Sequence, residues 1–304
     1  MSGKKLLFIF NPKSGKSLIK HHLVEIVDIM VKAGFEVTIY PTQARGDATR
    51  KVVEDGAGFD RIVCSGGDGT LDEVVTGMRK CHLHIPLGYI PAGSTNDFAR
   101  SLGISSDMEQ AAKIAVTDNI FTCDVGKFNE DTFVYIAAFG IFTEISYETP
   151  QELKNVLGHL AYLLSAVKSL ASIPNYLMQI DVEGQRIQDK FIYGMVTNST
   201  SVAGFEGMTG KNVKLDDGEF EVTLIKCPMN LTELNEIIAC LTNLIDDSNL
   251  IYSFKAKELH ILSKEPISWT LDGEFGGVHD EVRIENLCQK IDIVVKESEQ
   301  LLKD

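Results

Sequence analysis

The sequence has no run of about 18 apolar residues, no Cys-x-x-Cys pair and no excess of basic side chains, and each absence excludes a class of protein. Without a long apolar run, no segment spans a bilayer as a helix. The six cysteines, Cys64, Cys81, Cys123, Cys227, Cys240 and Cys288, are scattered, several of them in apolar runs. They read as small buried hydrophobes of a reducing compartment rather than as a disulfide framework or a metal site. Lysine and arginine number 29 against 43 acidic residues, a net charge of −14. Such a field repels phosphate backbones, so no nucleic-acid partner is expected. The seven histidines are dispersed without the i, i+4 spacing of zinc-binding helices. Gly-x-Ser-x-Gly, the hydrolase elbow, and Gly-x-Gly-x-x-Gly, the dinucleotide fingerprint, are both missing. Gly15-Lys16-Ser17 ends like a Walker A loop, but Phe10 stands where that loop needs glycine. The apolar run after Lys4 and Lys5 stops at Asn11-Pro12, too soon for a signal peptide. A cytoplasmic protein is expected.

What is present is the composition of an ordinary globular protein: 304 residues, 44% hydrophobic and 24% charged. That length suits one large domain or two medium ones. Residues 5–11 form a continuous apolar run, as a buried parallel strand does. Leu23, Ile26, Val27 and Met30 then recur at helical spacing, with Gly34 placed to stop the helix. Strands at Glu36–Tyr40, Arg61–Cys64 and Pro86–Ile90 alternate with helices at Asp47–Glu54, around Leu71–Met78, near Asn96–Leu102 and at Met108–Val116. This alternation predicts βαβ units and a parallel sheet. After about residue 120 short β-prone runs take over: Phe121–Phe128, Thr132–Ala138, Tyr176–Val182, Lys190–Thr197, Phe220–Ile225, Glu258–Leu262, Ile267–Leu271, Glu281–Ile284 and Ile291–Val295. Helices are expected at Glu152–Ala171 and from Thr232 to about Asn243. The expected fold is therefore an α/β domain over residues 1–123 and a β-rich, sandwich-like domain with inserted helices over 124–304. The extreme C-terminus can pack back on the first domain.

Three loops follow strands of the expected parallel sheet at the edge where open α/β folds bind ligands. Ser65-Gly66-Gly67-Asp68-Gly69-Thr70 lies between a buried strand and an amphipathic helix. Its glycines let backbone N–H groups approach a ligand, and the helix beginning at about Thr70 adds its positive end, which favours phosphate. An acidic residue inside a phosphate loop is costly unless a metal mediates, so Asp68 points to Mg²⁺. A tight turn with Thr70 as N-cap accounts for the same residues. Asn11-Pro12-Lys13-Ser14-Gly15 and Pro91-Ala92-Gly93-Ser94-Thr95-Asn96-Asp97 are the other two loops. Farther on, Lys214-Leu215-Asp216-Asp217-Gly218 and Leu271-Asp272-Gly273-Glu274 place Asp-Gly between β-prone runs, and taken alone both read as hairpin turns.

In this order, Asn-Pro-x-Ser-Gly at 11–15, Gly-Gly-Asp-Gly-Thr at 66–70, Pro-x-Gly-Ser-Thr-Asn-Asp at 91–97 and Leu-Asp-Gly-Glu at 271–274 resemble the diacylglycerol kinase catalytic family. The likeness is greatest to soluble bacterial lipid kinases, similar in turn to sphingosine kinases. The resemblance implies a first domain like that of phosphofructokinases and NAD kinases, which share the Gly-Gly-Asp-Gly-Thr element, and a second domain that holds the lipid. It implies ATP phosphates at Asn11, Pro12, Lys13, Ser14 and Gly15 and at Ser65, Gly66, Gly67, Asp68, Gly69, Thr70 and Leu71, with Thr95 nearby and Thr42 a looser candidate. It implies that Asp68 and Asp97 reach Mg²⁺ through water and that Glu274 is the general base. It further implies a structural Mg²⁺ on the Asp217 carboxylate and the carbonyls of Lys214 and Glu219, with Asp216 in an acidic network.

Phosphoryl transfer asks a protein for positioning and charge neutralisation, which glycine loops and acidic metal-binding side chains supply. The expected function is an ATP- and Mg²⁺-dependent kinase of a membrane lipid, most simply diacylglycerol to phosphatidic acid, working transiently at the membrane surface and possible as a homodimer. The alternatives are an NAD-kinase-like small-molecule kinase and a non-catalytic lipid-binding regulator of the same fold.

Overall fold

The computed structural model describes residues 3–15, 17–141, 164, 170, 173–199, 201–202, 205–206, 213–242 and 248–296. The chain divides into two units. The first comprises Met1–Val125, Leu215–Asp217 and Leu287–Asp304, and the second Gly126–Lys214 and Gly218–Asn286.

The first unit opens with β1 (Lys4–Phe10), α1 (Ile19–Lys32), β2 (Phe35–Pro41), α2 (Asp47–Asp55), β3 (Arg61–Gly66), α3 (Asp68–Lys80), β4 (Leu87–Pro91), α4 (Asp97–Ser101) and α5 (Met108–Ala115). Leu6, Leu7, Phe8 and Ile9 have no exposed surface, so β1 is covered on both faces, as its unbroken apolar run requires. Parallel pairing sets the order β2-β1-β3-β4, with Phe8 opposite Val63 and Cys64 opposite Tyr89. Ile26 and Met30 of α1, Val52 of α2 and Leu71, Val74 and Met78 of α3 bury the faces that their spacing marks as apolar. Each such side chain contributes about 1.5–3 kcal/mol. Because β2 and β3 flank β1, the chain leaves β1 and β3 in opposite directions, and their adjacent ends form a topological switch point.

The second unit holds the end of β5, most of β15 and the strands between them. These strands are β5 (Ile120–Phe128), β6 (Asp131–Phe133), β7 (Ile136–Gly140), β8 (Tyr176–Val182), β9 (Gln185–Thr197), β10 (Ser201–Val202), β11 (Phe205–Glu206), β12 (Phe220–Lys226), β13 (Ile251–Ala256), β14 (Glu258–Leu271) and β15 (Glu274–Val294). The helix α6 (Leu231–Leu241) follows β12, and its N-cap Asn230 accepts from the Glu233 N–H at 2.9 Å while Glu233 reaches back to accept from Met229 N–H at 2.7 Å, one residue before the cap. Antiparallel pairing gives β13-β12-β9-β7-β14-β15, and β8 pairs with both β9 and β14. The long strands β9 and β14 thus change partners along their length, as strands do at the corners of sandwiches. Trp269 sits at the centre of the core between Phe128 and Phe139, with ring centroids 5.0 and 4.9 Å away.

Three sequence expectations differ from the structure, and a fourth falls outside the residues it describes. Glu258–Leu262 and Ile267–Leu271 are one strand, with Pro266, which has no N–H, inside a register shift between Leu262 and Ile267. Glu281–Ile284 and Ile291–Val295 belong, apart from Val295, to the single strand β15, which passes from the second unit into the first. Thr132–Ala138 is two strands, broken at Val134-Tyr135 because those N–H groups turn to a side chain described below. The helix expected at Glu152–Ala171 lies outside the described residues, Leu164 and Leu170 apart.

Candidate active site

Three loops leave the carboxyl ends of β1, β3 and β4, and hydrogen bonds join them. The Asn11 N–H donates to Ser65 O at 2.9 Å and the Ala92 N–H to Gly66 O at 2.7 Å. Gly67 N–H donates to Ser14 Oγ at 3.3 Å. Within the first loop the Asn11 side chain accepts from Lys13 N–H at 2.9 Å, which closes the turn. Gly15 has φ +51°, and a Cβ there would overlap the Ala92 carbonyl oxygen. Thr42 follows β2 on the same edge, buried, with its N–H on Phe10 O at 2.9 Å.

The helix α3 begins at Asp68, not at Thr70, with the extended Gly67 as its N-cap. Thr70 is consequently not a cap. The N–H groups of Thr70 and Leu71 both donate to Gly67 O, and the Leu71 side chain is fully buried. Their N–H groups are thus engaged within the first turn of the helix. The glycines also separate by role. A Cβ on Gly66 would overlap Thr70 Oγ1, so Gly66 is required by packing, whereas a Cβ on Gly67 meets only Gly93 Cα at 3.4 Å. In the third loop Asn96, at φ +53°, clasps the Gly93 peptide, accepting from its N–H at 2.8 Å and donating to its carbonyl at 2.9 Å.

Asp68 and Asp97 come together beneath these loops. Asp68 Oδ2 accepts from Asp97 N–H and from Thr95 Oγ1, each at 3.3 Å. Asp68 is 8% exposed and Asp97 1%. Burial first, and the Asp97 charge second, push the Asp68 carboxyl up to about 6, against the pull of its hydrogen bonds. Among the described residues, Asp68 Oδ1 and Ser65 Oγ are buried and find no hydrogen-bond partner. An ionised oxygen left so, beside a second carboxylate, is what a hydrated divalent cation satisfies, and the residues present fit Mg²⁺.

A second acidic group, in the same unit, was only half legible. Asp124 has no exposed surface, accepts from Gln289 N–H at 2.7 Å, and donates its own N–H to Leu215 O at 2.8 Å. Burial, then Asp124, Asp292 and Asp216, push the Cys123 thiol up. Sequence reasoning named Asp216 and Asp217 but not Asp124, whose signal was a charge inside an apolar strand. Asp217 and Glu219 are half-buried and Lys214 is exposed. Among the described residues no three His, Cys, Asp or Glu side chains gather as a metal cluster.

In the second unit, Asp272 and Gly273 form a two-residue turn with φ +50° and +80°, and Leu271 pairs with Glu274. This is the type I′ hairpin expected of Asp-Gly. Glu274 is exposed, while Asp272 is buried.

The chain is 36% identical to a diacylglycerol kinase of Staphylococcus carnosus and 35% identical to one of Bacillus subtilis. The first alignment covers 99% of both chains, the second 99% of this one and 100% of the relative. The chain belongs to the diacylglycerol kinase family. It is a lipid kinase. The family's catalytic domain, as described by its sequence model, matches residues 5–128 of the kinase, which include all three loops. A crystal structure of a diacylglycerol kinase from Bacillus anthracis superposes on the kinase with a TM-score of 0.74 at 28% identity, covering 97% of this chain and 98% of that one. Another solved structure from the same organism reaches 0.82 over 97% and 96%. No described helix of the kinase is long and apolar enough to cross a membrane.

Proposed function

We propose that the kinase transfers the γ-phosphoryl group of ATP to the free hydroxyl of diacylglycerol at a membrane surface, with Glu274 as general base. The observation that carries this is the buried Asp68–Asp97 pair, whose Asp68 Oδ1 finds no hydrogen-bond partner among the described residues, beneath three loops at a sheet switch point. The names of its relatives support diacylglycerol as the acceptor.

Asn11–Gly15, Ser65–Leu71 and Thr95 bind and orient the nucleotide phosphates, with Thr42 at the margin, and Asp68 and Asp97 hold Mg²⁺ through water. Mg²⁺, when bound, neutralises charge on the phosphate oxygens. A lipid alcohol is a weak nucleophile, so Glu274 accepts its proton as the oxygen–phosphorus bond forms and the γ-phosphoryl leaves ADP. A structural Mg²⁺ on the Asp217 carboxylate and the Lys214 and Glu219 carbonyls, with Asp216 in the acidic network, belongs to the same proposal. That donor set is all oxygen, as a hard dication takes.

The test is transfer of labelled phosphate from ATP to micellar diacylglycerol, by the wild type and by Glu274→Gln. General-base catalysis contributes about 10²–10⁴-fold, so kcat of the variant falls by that order while nucleotide affinity holds. Near-normal kcat removes Glu274 from the chemistry, and transfer to NAD instead of the lipid overturns the acceptor.

A further inference from the structure

Asp272 is more deeply placed than a hairpin tip requires. A two-residue type I′ turn closes with Asn-Gly or Asp-Gly whether or not the first side chain leaves water. Here Gly273 and Glu274 are exposed, yet Asp272 is 5% exposed. Its carboxylate collects three consecutive backbone donors, Val134 N–H at 2.6 Å on Oδ2 and Tyr135 and Ile136 N–H at 3.0 Å on Oδ1. Its own N–H donates to Ile136 O at 2.9 Å. These donors lie at the break between β6 and β7, where the backbone has given up its ladder to meet the side chain. Next to the clamp, Leu271 pairs with Ala137 on one side and with Glu274 on the other.

Burying a carboxylate is expensive, and three N–H donors offset that cost without making the turn any tighter. What the clamp adds is fixity: it ties the residue two positions before Glu274 to a neighbouring strand. A proton acceptor must be held within roughly half an ångström of its working position, and an untethered hairpin tip is not. We infer that Asp272 is the positioning residue of Glu274, holding the hairpin tip so that the glutamate's backbone is fixed where its side chain meets the substrate. This rests on Glu274 being the general base.

The experiment is a double-mutant cycle on kcat, with KM for diacylglycerol and nucleotide affinity measured alongside. Asp272→Asn suits it, since asparagine favours the same backbone conformation but cannot accept all three donors. In the wild type, Asp272→Asn lowers kcat roughly 10- to 100-fold with KM and nucleotide affinity nearly unchanged, and in Glu274→Gln it costs nothing further. Losses that multiply in the two backgrounds overturn the inference while leaving Glu274 as the base. A normal kcat for Glu274→Gln alone overturns both, and a normal kcat for Asp272→Asn alone overturns only the positioning role. Should Asp272→Asn fail to fold, Gly273→Ala shifts the tip from the other side of the turn, where φ is +80° and the new Cβ meets only Tyr135 Oη at 3.9 Å. The same cycle applies to it, with the same two outcomes.

Discussion

Asp68 shows what a buried carboxylate costs the fold that carries it. Its carboxyl titrates at about 6, chiefly because it is buried and secondly because Asp97 is charged beside it. In the unfolded chain it titrates at its ordinary 3.8. Below that value both states hold the proton and no penalty exists. Between 3.8 and 6 only the folded state keeps it, and above 6 the charged form is forced into the buried site. A displacement of this size corresponds to about 3 kcal/mol. Stability from this group is therefore present at low pH and lost as pH rises through 6. Asp68→Asn, which keeps an acceptor for Asp97 N–H, is expected to raise Tm at pH 7.5 without divalent cation, and the gain should vanish near pH 4. Calorimetric melts of both proteins across that range check it, and an equal difference at both ends contradicts the assignment.

At the scale of the element, the loop between β3 and α3 separates packing from binding. Gly66 and Gly67 are neighbours with different obligations. Gly66→Ala drives its Cβ into Thr70, so a loss of about 1–3 kcal/mol in stability is expected. Gly67 has φ −83° and room beside Gly93, so Gly67→Ala folds. On the proposed phosphate reading, its new methyl group stands between backbone and ligand, and affinity for a non-hydrolysable ATP analogue falls at least about tenfold. Calorimetric titration and a thermal melt of each variant separate the two effects. Unchanged affinity in Gly67→Ala makes this loop a turn and nothing more. The third loop, Pro91–Asp97, is held by the Asn96 clasp on Gly93. A loop without such side-chain bonds has no reason to keep one conformation.

Across the whole molecule, the first unit is not a continuous stretch of chain. Its core takes Ile291, Ile293, Val294 and Val295, all 3% exposed or less, from the far end of β15 and the residue after it. Thr122 donates to Asp292 at 2.7 Å and Val295 N–H to Asn119 O at 3.0 Å, which tie that return segment to β5 and its approach. Four buried aliphatic side chains are worth about 6–12 kcal/mol, as much as a domain's entire net stability. A fragment of residues 1–125 is accordingly expected to lack a cooperative melt by circular dichroism and to be cleaved rapidly by protease. A sigmoidal transition in that fragment overturns this account.

The sequence by itself determined the parallel strands and their helices, since continuous apolar runs and 3.6-residue periodicity are local properties that burial then enforces. It also determined which loops share one edge of the first unit, because every strand-to-helix loop of a parallel sheet leaves at the same end. Only the tertiary structure decided what Asp272 and Asp124 do. An Asp-Gly turn reads the same whether its carboxylate meets water or three N–H groups about 137 residues away in the chain, and a lone aspartate in a strand does not name its partners. The run Thr132–Ala138 likewise looked like one strand, and its break became necessary only once a distant carboxylate claimed its donors. Local pattern records which side chains leave water. Which polar groups they meet there is settled by contacts far apart in sequence, and those contacts have no periodicity to read.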